Sequence, residues 1–81
     1  MHEMSVALEI CRLVEEKLTP QQLRGLVTVA VDIGDDSGLE PANLEFCLES
    51  MLAQPPFPGA RPVLCRQPGD VLRVSYLEVD E

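Results

Sequence analysis

Eighty-one residues, of which 46% are hydrophobic and 25% charged, set the scale of one small domain. A chain of this size buries only about 60% of its unfolded surface, too little for a second independent core. The formal net charge of −8, with only six scattered Lys and Arg residues, argues against a phosphate-backbone partner, which needs clustered cations. No apolar run approaches the roughly 18 residues of a membrane span.

Acidic Glu3 and Glu9 stand where a secretory signal would carry basic residues, and no apolar stretch follows them, so a cytoplasmic location is expected. Cys11, Cys47 and Cys65 are far apart and odd in number, without a C-x-x-C pair. A disulfide framework is not expected from this spacing. Cys11 and Cys47 fall on apolar helical stripes and read as small core residues.

In chain order, Ala7, Ile10, Cys11, Val14 and Leu18 recur at helical spacing from residue 4 to about residue 18. Glu3 lies in the first turn, where a carboxylate favours the positive end of the helix dipole. Thr19-Pro20-Gln21-Gln22 has the form of a cap for a short separate turn before Gly25. Residues 26–33, Leu-Val-Thr-Val-Ala-Val-Asp-Ile, are β-branched and apolar on both faces, the mark of a buried strand.

Gly34-Asp35-Asp36-Ser37-Gly38 is a turn cluster, and Glu40-Pro41 opens a second helix whose stripe is Leu44, Cys47, Leu48, Met51 and Leu52. Prolines at 55, 56 and 58 stop it. Residues 60–66 read as extended, with Pro62 suited to a sheet edge. Residues 71–79 have strand composition and place Leu72, Val74 and Tyr76 on one face by simple alternation. The turn Gln67-Pro68-Gly69-Asp70 predicts an antiparallel hairpin between these last two stretches.

The expected fold is therefore α+β, two helices on a three-stranded mixed sheet in the order α-β-α-β-β. A right-handed crossover makes the first two strands parallel. The carboxy-terminal strand is expected in the middle, and residues 1–81 are expected to form one domain.

Met1-His2-Glu3 is the stretch with the most distinctive chemistry. The α-amino nitrogen, a deprotonated His2 amide and the His2 imidazole can close two fused chelate rings, with a fourth position for the amide or carboxylate of Glu3. Square-planar nitrogen and oxygen ligation suits Ni(II) and Cu(II). Each nitrogen must be free of its proton, so binding should collapse below about pH 6. His2 is the only histidine, so no Cys/His cluster exists to host a conventional zinc site.

No phosphate cradle of the Gly-x-x-x-x-Gly-Lys form and no nucleophile–base pair is present, which argues against an enzyme. Asp32, Asp35 and Asp36 read as a solvated turn, not a calcium loop. Arg12, Arg24, Arg61, Arg66 and Arg73 read as surface charges.

Three separated segments carry a family likeness. Met1-His2-Glu3-Met4-Ser5 resembles the amino terminus of the HypA/HybF hydrogenase nickel-incorporation proteins. Asp32-Ile33-Gly34 with Ser37-Gly38-Leu39-Glu40-Pro41 resembles their strand-to-helix segment, and Gly69-Asp70, Leu72-Arg73-Val74 and Leu77-Glu78-Val79 resemble their final strand. The resemblance implies a nickel metallochaperone in which Met1 and His2 are ligands and Glu3 is a ligand or an interaction residue. It also implies a HypB-like GTPase and the hydrogenase large subunit as partners, with urease maturation as a second destination.

The same family carries a zinc domain with two C-x-x-C pairs between the last two strands; here four residues join them, so structural zinc is not expected. An alternative from another class is an interaction adaptor that keeps this fold without carrying nickel.

Overall fold

A computed structural model describes residues 2–80. Helix α1 spans Glu3–Lys17 and buries Val6, Ala7, Ile10, Cys11 and Val14, the stripe that the 3.6-residue repeat requires. Its end leads into α2, Pro20–Arg24, held by a reciprocal cap. Gln22 N donates to Thr19 Oγ1 at 3.2 Å while Thr19 N donates to Gln22 Oε1 at 2.9 Å. The proline at the first helical position has no amide to leave unsatisfied, which lets the chain turn here at low cost.

Strand β1, Leu26–Gly34, is buried at every position but Val27. Helix α3, Pro41–Leu52, follows with Leu44, Leu48 and Leu52 fully enclosed, and then β2, Arg61–Gln67, and β3, Leu72–Val79. The expected α+β fold is present, with the short α2 as an added third helix.

Sheet order is β2-β1-β3, with β1 parallel to β2 and antiparallel to β3. The parallel pairing agrees with expectation, and Pro62 does lie on an edge strand. The predicted hairpin and the central placement of the carboxy-terminal strand are both wrong. The physical reason lies in β1: a nine-residue run without polar alternation must be covered on both faces, and the middle of the sheet also pairs both its edges. The other two strands are half-exposed throughout, as edge strands are.

Because β1 separates them, the connection from β2 to β3 arches over the end of β1. Asp35 N donates to Gln67 O and Asp36 N to Gly69 O, each at 2.8 Å, and Gly34 N donates to Val71 O at 2.7 Å. Gly34 leaves room for this crossing: a Cβ there would lie 2.7 Å from Val71 N and closer still to Gly69 O.

Strand β3 also departs from the simple alternation expected of it. Register runs Ala30 opposite Tyr76 and then Val31 opposite Val74, so Ser75 is an extra residue in a β-bulge. The bulge reverses the alternation. Val74 and Leu77 face the core with Val29 and Val31, while Tyr76 goes to the opposite face with Ala30 and is 51% exposed.

The core is one cluster between the two long helices and one sheet face, built from α1, β1 and α3 and closed by Phe57 and Ala60. On the outer face, the Asp32 side chain is only 8% exposed and accepts from Arg73 Nε at 3.0 Å. Asp32 therefore does not belong to the solvated turn that sequence suggested. Arg66 is tied to Asp35 at 2.9 Å and Arg12 pairs with Glu9 and Glu16.

Candidate metal centre at the start of the first helix

The candidate site stands where α1 begins. Met1 lies outside the described residues. His2 is the residue before the first helical turn, exposed and extended (φ −79°, ψ 142°), and its side chain makes no capping bond. Its carbonyl accepts from Val6 N at 3.2 Å, closing the first turn. Among the described residues the imidazole has no hydrogen-bond partner, whereas the backbone immediately after it is fixed by the helix.

Glu3 is oriented by tertiary structure. Its Oε2 accepts from Glu40 N at 2.9 Å, although 37 residues separate the two. Glu40 in turn caps α3 through Oε1, which accepts from Ala42 N at 2.9 Å. One hydrogen bond therefore joins the start of α1 to the start of α3. The Glu40 amide is the chief reason that the Glu3 carboxyl is held below its ordinary value of 4.5; its own backbone amide and the nearby His2 act in the same direction. A carboxylate that accepts backbone N–H bonds resists protonation because the bonds favour its charged form.

This geometry bears on how the tripeptide can hold an ion. A chelate ring through two successive amide nitrogens requires ψ of the first residue near about zero, since only then do both nitrogens point the same way. At ψ 142° the amides of His2 and Glu3 diverge. The His2 imidazole and the His2 amide belong to one residue, so their mutual reach does not depend on this angle.

Elsewhere among the described residues, no group of three or more His, Cys, Asp or Glu residues is placed to hold an ion. The three cysteines are free and lie on three separate elements, α1, α3 and β2. Cys11 is buried, and burial pushes its thiol up to about 11; Met51 is its sulfur neighbour, at 4.0 Å. No helix of the described residues is long and apolar enough to cross a membrane.

Sequence reasoning singled out the tripeptide as a candidate and passed over Glu40, Thr28 and Glu78. Thr28 Oγ1 donates to Glu78 Oε1 at 2.6 Å across β1 and β3, a pairing visible only once register is known. The Ser37-Gly38-Leu39-Glu40-Pro41 segment pointed to a helix start, yet nothing local in it says that its amide meets Glu3.

The family model described as hydrogenase/urease nickel incorporation, metallochaperone, HypA matches residues 1–72. The hydrogenase maturation factor HypA of Geobacter metallireducens is 36% identical over 69 residues, covering 85% of this chain and 60% of the relative. That of Albidiferax ferrireducens is 33% identical over 69 residues, covering 85% and 61%. A third, from Azotobacter chroococcum, is 35% identical with the same coverage of 85% and 61%. The chain thus spans about three fifths of the length of these curated relatives. No solved structure matches it. With the family model covering all but its last nine residues, and relatives more than 30% identical along most of its length, this chain belongs to the HypA family.

Proposed function

We propose that the chain is a nickel carrier: it takes Ni(II) as cargo at Met1-His2-Glu3 and hands it to a partner that matures a nickel enzyme. Membership of a family described by nickel incorporation carries this reading. The exposed, uncapped His2 imidazole supports it. The relatives' names point to hydrogenase as the destination, and a HypB-like GTPase and the hydrogenase large subunit are the partners proposed. The chain acts as one cytoplasmic domain, without structural zinc and without turnover of its own.

In this proposal the α-amine of Met1, the amide of His2 and its imidazole supply three nitrogens in one plane. Glu3 in the resting state tethers the terminus to α3 through Glu40. Its amide enters the fourth position only when His2 turns about ψ, which would give up the Val6–His2 hydrogen bond, worth about 1 kcal/mol. That cost is small beside a metal–nitrogen chelate, and it leaves the fourth position exchangeable, which suits a carrier better than a store. Irving–Williams order favours Cu(II) over Ni(II) in such a ligand set, so nickel selectivity must come from supply and from the recipient.

The test is a calorimetric nickel titration of untagged protein beside His2→Ala and a version extended by a few residues at its amino terminus. Both altered proteins should lose binding, the second because the extension converts the amine to an amide. Full affinity in the extended protein, or an affinity unchanged between about pH 7.5 and 5.5, rejects the site.

A further inference from the structure

The free edge of β3 and the groove beside it have no part in the proposed metal site. Strand β2, at the other edge of the sheet, carries Pro62, which has no amide to offer a further strand. Strand β3 has neither proline nor lysine along Leu72–Val79, so it lacks two of the usual guards of an edge. Between it and α1 runs an apolar groove formed by two cavities of about 500 and 440 Å³ that share Leu13, Leu72, Arg73 and Val74. Leu13 and Leu72, each 37% exposed, face solvent there.

The charges on this edge identify what fits it. Arg73 lies opposite Asp32, and Glu78 opposite Thr28, on the outer face of the sheet. They share that face only because the Ser75 bulge shifts the alternation between them. Among the described residues Arg73 bonds Asp32 through Nε alone and Glu78 accepts from Thr28 on Oε1 alone, leaving the other guanidinium nitrogens and Oε2 unpaired.

We infer that β3 pairs with β3 of a second copy of this chain, antiparallel about a two-fold axis between Ser75 and Tyr76. In that register Arg73 of each copy opposes Glu78 of the other, and Val74 opposes Leu77 on the core side. A two-fold interface makes each such contact twice, and directly opposed residues of opposite charge favour pairing while like charges oppose it. The product is a six-stranded sheet with β3 and its twin at the centre. The two α1 helices then face each other over the grooves, and Leu13 and Leu72 of both copies are covered. His2 and Glu3 lie outside this edge, so the inference stands apart from the nickel reading.

Sedimentation equilibrium from micromolar to millimolar protein, in about 0.15 M salt to screen the net charge, tests it. Native protein should approach twice the monomer mass. Glu78→Arg and Arg73→Glu each place like charges opposite one another and should weaken association by at least about tenfold. An equimolar mixture of the two variants should restore it, because an all-basic edge then meets an all-acidic one.

Because Arg73→Glu removes the partner of Asp32, amide exchange of the native protein provides a reading that needs no substitution. Protection that rises with concentration at residues 73–78 is expected. A native protein that stays monomeric with unchanged exchange overturns the pairing and makes the Ser75 bulge an edge guard. A dimer that persists in both variants overturns it as well, as does failure of two folded variants to associate on mixing.

Discussion

Replacing Gly34 by alanine tests whether β1 is central and the chain crosses over its end. The backbone angle at Gly34 is not in the left-handed region, so alanine meets no conformational penalty there and the effect is steric. The added Cβ would lie 2.7 Å from Val71 N and nearer still to Gly69 O, where ordinary contact begins at 3.4 Å. Both neighbours are backbone and cannot rotate away.

The segment from 67 to 71 must therefore retreat, and it is bound by three hydrogen bonds, from Gly34, Asp35 and Asp36, at 2.7, 2.8 and 2.8 Å. Overpacking costs about 1–3 kcal/mol and each loosened bond about 1 kcal/mol. With partial relaxation a loss of about 2–4 kcal/mol is expected. Against a total of about 4–12 kcal/mol for a chain of this size, this is a large fraction, equivalent to a fall in Tm of roughly 10–25 °C.

Urea and thermal unfolding by circular dichroism measure it. Gly38→Ala is the control, since Gly38 has φ +80° and open space around it; it should cost about 1 kcal/mol from backbone conformation alone. A Gly34→Ala protein within about 0.5 kcal/mol of native would refute the crossing geometry. In a simple hairpin between β2 and β3, Gly34 would have no such neighbours.

Three other outcomes are expected. Arg73→Ala, which leaves the buried Asp32 carboxylate without its partner, should cost about 1–3 kcal/mol in urea unfolding, whereas Arg66→Ala, at a pair with both side chains more than half exposed, should cost under about 1 kcal/mol; equal effects would contradict the burial difference. Cys11, with its thiol raised to about 11, should react with a disulfide reagent at pH 8 far more slowly than half-exposed Cys47 and Cys65; its contribution to stability is complete below about pH 8.5, the value for a free thiol, and is lost as pH rises through the folded value. Glu3 shifts the other way: its share of stability is present above its ordinary 4.5 and disappears as pH falls through the lower folded value. The Glu40 amide resonance should therefore show a titration component with a midpoint below 4.5, and Glu3→Gln should remove that component.

Local chemistry was legible in the sequence where neighbours along the chain carry it. The stripe of Ala7, Ile10, Cys11 and Val14, the Thr19–Gln22 cap, the proline that opens α3 and the prolines that follow it all name their own structure, because a helix satisfies its backbone within a few residues. The β-branched, largely apolar run of β1, interrupted only by Thr28 and Asp32, likewise declared a doubly covered strand. The donors proposed in Met1-His2-Glu3 could be singled out for the same reason, being contiguous, and the first two segments of the family likeness fall within the match over residues 1–72, whereas most of the third lies beyond it.

Only the tertiary structure decided which strand lies in the middle, since pairing depends on which edges compete for β1 and not on any one strand's composition. It also set the faces of β3, because one extra residue at Ser75 sends Tyr76 away from the core. The hydrogen bond from Glu40 N to Glu3, across 37 residues, belongs to the same class. Sequence alone determined which donor atoms follow one another at the start of the chain; the packing of α1 beside α3 decided that the Glu3 carboxylate is engaged by the Glu40 amide.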